Sequence, residues 1–600
     1  MSQHRSCRPH ELGDFTTTAR VVPLSVAAIG IGILSTFVAW ALLRLIALFT
    51  NAFYYQRVSS VFLSPAGNHL GWTAALIPVA GGLVIGLMAR YGSERIRGHG
   101  IPEALESILI NGSKVQPRLA LLKPISAAIS IGSGGPFGAE GPIIMTGGAL
   151  GSVISQLFRM TAAERKTLLV AGAAAGMSAT FAAPIAAALL AVELLLFEWR
   201  PRSAIPVALA SATAGAARRY ILGLGPLFPV PQHSIFIGPQ GLLGCVLAGL
   251  LAGGLSALLT LGVYAAEDAF LKLPIHWMWW PALGGLAVGL GGLVFPQALG
   301  VGYDTIQSLL TGDVPRAVIA GVLLVKSAIW IISLGSGTSG GVLAPLLMMG
   351  AALGGVEATF LPHEGAGFWP LVSMGAILGG TMRAPFTAIL FALELTHDVN
   401  LLLPLLVAAM LAHGTTVLLL KRSILTEKLA RRGFHLTREY ATDPLELLLV
   451  REAMRTSFAE LPAQGSLADV RRVLARAPAH RGQHLFPVVD RETRVIGVVT
   501  RKQLRRLVES PAAPFSLAAA LRAPVVAYPD EPLRAAVLRM AETGLTRFPV
   551  VDPDSRKLAG MISLDDLLLA RVRNLHDERR RERVLRLPSP FRRRARVTAD

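Results

Sequence analysis

Six stretches of this chain are apolar over the length needed to cross a lipid bilayer: Val21–Thr50, Trp72–Met88, Gly238–Val263, Trp279–Phe295, Val314–Leu334 and Leu401–Leu420. A helix spanning the hydrocarbon core needs about 20 predominantly apolar residues. Hydrocarbon offers no partner for an open backbone amide, so such spans must bond internally as helices. From about Arg451 onward the sequence changes to dense Arg, Asp and Glu with short apolar runs. The chain therefore reads as a polytopic membrane domain followed by a soluble region. Its 52% hydrophobic content and mean hydropathy of +0.53 exclude an ordinary soluble enzyme.

The net charge of +19 is concentrated toward the ends. Arg5, Arg8 and Arg20 precede the first apolar span, and Arg579–Arg596 is arginine-rich. The positive-inside rule places both termini on the cytoplasmic side of a multi-pass protein, expected in a bacterial inner membrane. The basic tail reads as a solvated or headgroup-facing segment, and no nucleic-acid role is expected. Cys7 and Cys245 lie far apart, so neither a disulfide framework nor a metal site is expected. No nucleophile–base or metal constellation suggests an enzyme.

Between Lys123 and Arg159 the single charged side chain is Glu140, set in the stretch GGPFGAEGP. A carboxylate at bilayer depth costs at least about 2.5–3.5 kcal/mol, which makes it a candidate functional group. Two further stretches run from glycines into a proline: Gly98-His99-Gly100-Ile101-Pro102 and Gly335–Pro345. Proline is tolerated in the first turn of a helix, where its missing N–H costs nothing. Each stretch thus predicts a broken apolar segment ending in a helix N-terminus, whose free N–H groups suit an anion.

The chain also repeats itself. Ala183-Pro184 through Glu193-Leu194 matches Ala384-Pro385 through Glu394-Leu395 with the same Pro-to-Glu spacing, and Gly141–Gly147 resembles Ala344–Gly350. Two related halves are expected. In the soluble region, Leu485–Asp490 and Val495–Thr500 recur as Arg547–Asp552 and Leu558–Ser563. Together with helices over Leu467–Arg476 and Pro532–Glu542 they predict a paired α+β module.

These residues carry a resemblance. The stretches GHGIP, GAEGP and GGVLAP are similar, in order and spacing, to the GSGIP, GREGP and GxFxP motifs of the CLC family of chloride channels and chloride/proton antiporters. The soluble part resembles a tandem pair of CBS domains. The resemblance implies an all-α polytopic membrane protein with the CLC fold, an inverted repeat of tilted and broken helices, followed by the α+β CBS pair. It implies a homodimer with a separate chloride pathway in each subunit, and it makes Glu140 the gate. The expected divisions are a tail 1–20, a transport domain 21–433, a linker 434–449, CBS domains 450–510 and 511–574, and a basic tail 575–600. The implied anion-binding set is His99, Gly100, Ile101, Gly138, Ala139, Gly141, Val342, Leu343 and Leu425.

This sequence departs from the family at several of those positions. His99 stands where the family has a serine, Leu425 aligns with a tyrosine, and Leu343 replaces the GxFxP phenylalanine. Both anion-binding hydroxyls are therefore lost. Leu194 occupies the place of the antiporters' internal proton-transfer glutamate, which favours a passive channel over an antiporter and leaves as alternatives a chloride/proton antiporter of the same fold or a transporter of another anion. Glu198 reads as an interfacial helix end, while Glu193 and Glu394 read as structural or subunit-contact residues. In the CBS pair, Gly560–Asp566 fits the Gly-x-x-Ser/Thr-x-x-Asp pattern of adenosine nucleotide sites, with Ser563 and Asp566 as contacts. The first repeat offers Thr500 but has Gln503 in place of the aspartate. No cofactor is required by this reading, and nucleotide binding stays open against a plain dimer contact.

Overall fold

The structure is a computed structural model that describes residues 15, 17–312, 314–433, 444–475, 483–509 and 517–579. The expected roles of Arg5, Cys7, Arg8, most of the linker and the arginine-rich end beyond Arg579 lie outside the described residues. The chain forms two compact units, one of Phe15–Arg438 and one built around Glu439–Asp600.

The first unit is helical. Its first half comprises α1 (Val21–Tyr55), α2 (Leu76–Tyr91), α3 (Ile101–Leu109), α4 (Pro117–Gly132), α5 (Glu140–Gln156), α6 (Ala162–Phe181), α7 (Pro184–Leu190) and α8 (Pro201–Ile221). The second half comprises α9 (Pro239–Leu271), α10 (Trp280–Val294), α11 (Tyr303–Thr311), α12 (Arg316–Gly321), α13 (Ser327–Gly335), α14 (Leu343–Glu357), α15 (Phe368–Met382), α16 (Pro385–Thr396) and α17 (Leu402–Leu419). A last helix, α18 (Ile424–Arg431), follows the repeat. Among the described residues, six helical segments are long and apolar enough to cross a membrane, and they overlap the six spans expected from sequence. The shorter helices, among them α14, α15 and α16, are the broken ones.

The two halves hold each other through reciprocal contacts. Glu394 at the end of α16 accepts hydrogen bonds from the Ile185 and Ala186 N–H groups at the start of α7, at 3.0 and 2.8 Å. Glu193, just beyond α7, accepts from the Thr387 N–H and hydroxyl at the start of α16, at 2.9 and 2.6 Å. Each proline-led helix start, with its open N–H groups, is thus capped by the glutamate of the other half. The repeat that the sequence announced is a mutual cap. Ala182 and Arg383 adopt left-handed backbone at matching helix ends, with φ of 58° and 55°.

A second matched pair, one in each half, escaped the sequence reading. Lys123 is fully buried and donates to the carbonyls of Ile96 and Gly98 at 2.8 and 2.7 Å. Lys326 is equally buried and donates to Ala298 and Gly300 at 2.8 and 2.7 Å. Each ammonium pins the glycine turn that precedes α3 or α11.

Glu193→Ala should remove the acceptor for both Thr387 donors while leaving them buried. A stability loss of about 1–3 kcal/mol is expected, measured as a lower melting temperature of the detergent-solubilised protein. An unchanged melting temperature would contradict the capping role.

The second unit contains two β-hairpins of matching register. A short strand β1 (Leu461–Pro462) runs parallel to β2 (Leu485–Val489), which pairs antiparallel with β3 (Val495–Thr500). The second hairpin pairs β4 (Arg547–Val551) with β5 (Leu558–Ser563), and the register shifts at the equivalent place in both. Short helices α19 (Pro444–Leu447) and α20 (Val450–Ala453) open the unit. Around the strands lie α21 (Leu467–Ala475), α22 (Arg501–Glu509), α23 (Leu533–Thr543) and α24 (Leu564–Arg579), each apolar face buried against its own hairpin's core. The expected helices and strands are present to within a residue among the described positions.

Candidate anion site

The three glycine-rich stretches meet at one place. The Gly98 N–H donates to the Thr338 carbonyl at 3.2 Å, and Gly98 pairs with Ser339. Gly138 and Gly341 exchange two N–H···O bonds, at 3.1 and 2.8 Å. Helices α3, α5 and α14 all begin at this junction, so three helix N-termini with their positive dipole ends converge on it.

Glu140 is the first residue of α5 and is completely buried. Its Oε1 accepts a hydrogen bond from the Ala344 N–H, in the first turn of α14, at 3.0 Å. Its Oε2 has no partner among the described residues. The carboxylate lies so close to the backbone that a Cβ on Gly138 would sit 1.8 Å from Oε2, and one on Gly341 2.5 Å from it. A Cβ on Gly141 would sit 1.7 Å from the His99 carbonyl oxygen. These glycines are required by close approach, which lets backbone from three elements surround one carboxylate.

The amide that holds Glu140 belongs to Ala344, where the sequence pointed to its neighbours Val342 and Leu343. Both neighbours are buried in the same turn. Two members of the expected set have their amides already engaged. The Gly100 N–H donates to Glu103 Oε2 at 2.8 Å, so α3 carries its own capping carboxylate. The Gly138 N–H is held by Gly341. Neither amide is open to an anion in this arrangement, and the spacing Gly100-to-Glu103 was the sequence signal for the first. Ile101 and Ala139 are buried at the starts of α3 and α5. His99 is 5% exposed, and its Nδ1 has no partner among the described residues.

A cavity of about 340 Å³ opens beside α18 and reaches Gly98 and His99. Ile424 and Tyr264 line it, and the Tyr264 hydroxyl donates to the Ile424 carbonyl at 2.5 Å. Leu425 is fully buried at the same helix start and brings no polar atom. Leu194 is fully buried as well. Glu198 is held by Arg200 and Arg202 at 3.5 and 3.8 Å, as an interfacial helix end would be.

In the CBS-like unit, Ser563 donates to Asp566 Oδ2 from both its N–H and its hydroxyl, at 2.9 and 2.5 Å. Asp566 Oδ1 accepts from Arg455 Nε at 2.6 Å. Thr500 donates in the same two ways to Gln503 Oε1, at 2.9 and 2.7 Å. Both repeats therefore use the motif to cap the following helix.

A sequence profile described as "Voltage gated chloride channel" matches residues 81–417, more than half of the chain and all three glycine-rich stretches. The chain belongs to the CLC family. CBS domain profiles match residues 450–510 and 519–573, so a tandem CBS pair follows the CLC core. A putative chloride channel protein ClcB-like from Ralstonia nicotianae is 32% identical over 60% of this chain and 86% of its own length. The voltage-gated ClC-type chloride channel ClcB of Shigella flexneri is 30% identical over 67% of this chain and 98% of its own. Among solved structures, a slow cyanobacterial Cl⁻/H⁺ antiporter superposes with a TM-score of 0.61 at 22% identity, covering 70% of this chain and 99% of the antiporter. At that identity the likeness establishes the CLC fold alone.

Proposed function

We propose that this CLC protein is a chloride channel whose pathway passes the junction of α3, α5 and α14 and is gated by Glu140. The observation that carries the reading is the Glu140 carboxylate itself, fully buried, with one oxygen on the Ala344 amide and the other unpartnered among the described residues. A charged oxygen held by a helix N-terminus occupies the place an anion would take. The carboxylate is tethered to the chain, so chloride can compete for that amide and protonation can release it. His99, Ile101, Ala139, Gly141, Val342 and Leu343 surround the route. Each subunit of a homodimer carries one such pathway, in a bacterial inner membrane with both termini cytoplasmic.

A passive channel rather than a proton-coupled antiporter is supported by Leu194, which brings no titratable group to the inner position. Glu193 beside it is already bonded to Thr387. The decisive experiment imposes a chloride gradient on liposomes containing the purified protein. Passive flux is expected with no accompanying proton movement; uphill proton movement driven by chloride would replace the channel with the antiporter.

The CBS pair is the regulatory module of this proposal, with an adenosine nucleotide in the second repeat. A ribose would exchange its hydroxyls for the Arg455 bond to Asp566. Asp566→Ala is expected to abolish nucleotide binding to the full-length protein in calorimetry with ATP. Heat of binding unchanged by that substitution would remove the second repeat as the site.

A further inference from the structure

Helix α24 is apolar on two sides. Leu567 and Ala570 are buried in the core of its own hairpin. Leu564, Leu568, Leu569 and Val572 are not: their exposures are 44, 59, 51 and 59%. Leu564, Leu568 and Val572 follow a four-residue spacing and lie along one face, with Leu569 beside them. Apolar side chains scattered singly over a surface need no explanation, but a contiguous patch of them marks a contact.

The first repeat shows that the fold does not require this patch. Thr500-x-x-Gln503 and Ser563-x-x-Asp566 cap α22 and α24 in the same way, so the two helices align residue for residue. Leu504 is buried as Leu567 is. In that alignment Leu564, Leu568, Leu569 and Val572 correspond to Arg501, Arg505, Arg506 and Glu509. The outer face of α22 is charged, and the outer face of α24 is not.

The charges that border the patch fit a second copy of the same helix. Asp565 and Arg573 are both exposed, and they stand four residues before and four residues after Leu569. Asp565 meets Arg547 at 4.0 Å, a long and exposed pair. An antiparallel α24 crossing at Leu569 sets each Asp565 against the other copy's Arg573. A parallel copy would set like charge against like, which is unfavourable. A two-fold interface requires one patch to be complementary to itself, and this charge pattern is. An anionic lipid surface would instead favour a basic border at both ends.

We propose that the exposed face of α24 is a contact between two copies of this chain, in which the second CBS domains pair through antiparallel α24 helices about a two-fold axis at Leu569. The inference rests on the homodimer reading and gives that dimer a surface in its soluble part. Pairing withdraws the four apolar side chains from water, which is its driving force. The flanking ion pairs set its direction and exclude the first repeat's basic α22 as a partner.

Cross-linking of the full-length protein tests the assignment. Leu569→Cys, made together with Cys7→Ser, places two thiols across the axis. Under copper–phenanthroline oxidation in detergent it should form a covalent dimer at least about tenfold faster than Arg506→Cys in the same background, because juxtaposed thiols react as an intramolecular pair. Adding Asp565→Arg should slow that cross-link several-fold, and adding Arg573→Asp as well should restore it. All four positions are exposed, so folding is spared. Equal rates for Leu569→Cys and Arg506→Cys, in a protein whose light-scattering mass is that of a dimer, would overturn the α24 contact and leave the homodimer standing. A face that lies on lipid or on another protein gives that same result. A cross-link that the second charge swap does not restore would overturn the antiparallel pairing. A monomeric mass for the unmodified protein would overturn the homodimer reading and this inference with it.

Discussion

Glu140→Gln is expected to give chloride flux that no longer responds to pH. In the native protein the ionised carboxylate competes with chloride for the Ala344 N–H, 3.0 Å from Oε1. Lowering the pH protonates the carboxylate, removes its charge and releases that amide, so native flux should rise as pH falls. Glutamine fills the same volume without a charge that could hold the position against an anion. The variant's flux should therefore be flat with pH and at least as high as the acid-stimulated native flux. A chloride electrode on liposomes containing each protein, stepped through a pH series, reads both quantities. A variant that keeps the native pH response would show that another group is the gate. The same substitution would uncouple an antiporter, so it tests the gate and not the channel assignment. That second question belongs to the proton-gradient measurement, where Leu194 is the residue at issue.

The parts of the fold that were legible in sequence are those fixed by one-dimensional pattern. Length and apolarity identify a spanning segment wherever it lies in the chain, so the six long spans were recoverable. The glycine-to-proline runs announced the starts of α3, α5 and α14, because proline in a first turn is a local signal. Their meeting at one point is not local. Ala344 lies 204 residues from Glu140, and nothing in either segment says which of three adjacent amides the carboxylate will reach. The Ser563-x-x-Asp566 pattern illustrates a different limit. A nucleotide motif and a helix cap share the same spacing, so the residues alone could not say that both Asp566 oxygens would be bonded within the chain. Glu193 and Glu394 were visible as a repeated pair, but their reciprocal capping emerged only in the folded chain. Lys123 and Lys326 were present at the same offset and passed unnoticed, since a lone lysine near an apolar span usually reaches for the interface.

Those lysines carry the second large expectation. Lys123→Met should destabilise the membrane unit and impair transport, whereas Lys326→Met should destabilise it with a smaller effect on transport. An ammonium ion loses several kcal/mol of solvation when fully buried, and methionine of similar length relieves that cost. The relief is offset at the partners. Each substitution leaves two buried carbonyls without the donor that bonded them, at about 1–3 kcal/mol apiece. Removing one side of a buried polar contact is the destabilising case, because the other side remains. The functional difference follows from which turn is freed. Lys123 fixes Gly98, next to His99 and bonded to Thr338 in the junction that surrounds Glu140. Lys326 fixes Ala298 and Gly300, which precede α11. Melting temperatures in detergent should fall for both variants, and chloride flux per folded protein should fall further for Lys123→Met. Equal flux in the two variants would mean that the Gly98 turn holds its shape without the ammonium. In that case the backbone bond to Thr338, rather than Lys123, would be what sets the mouth of the anion site.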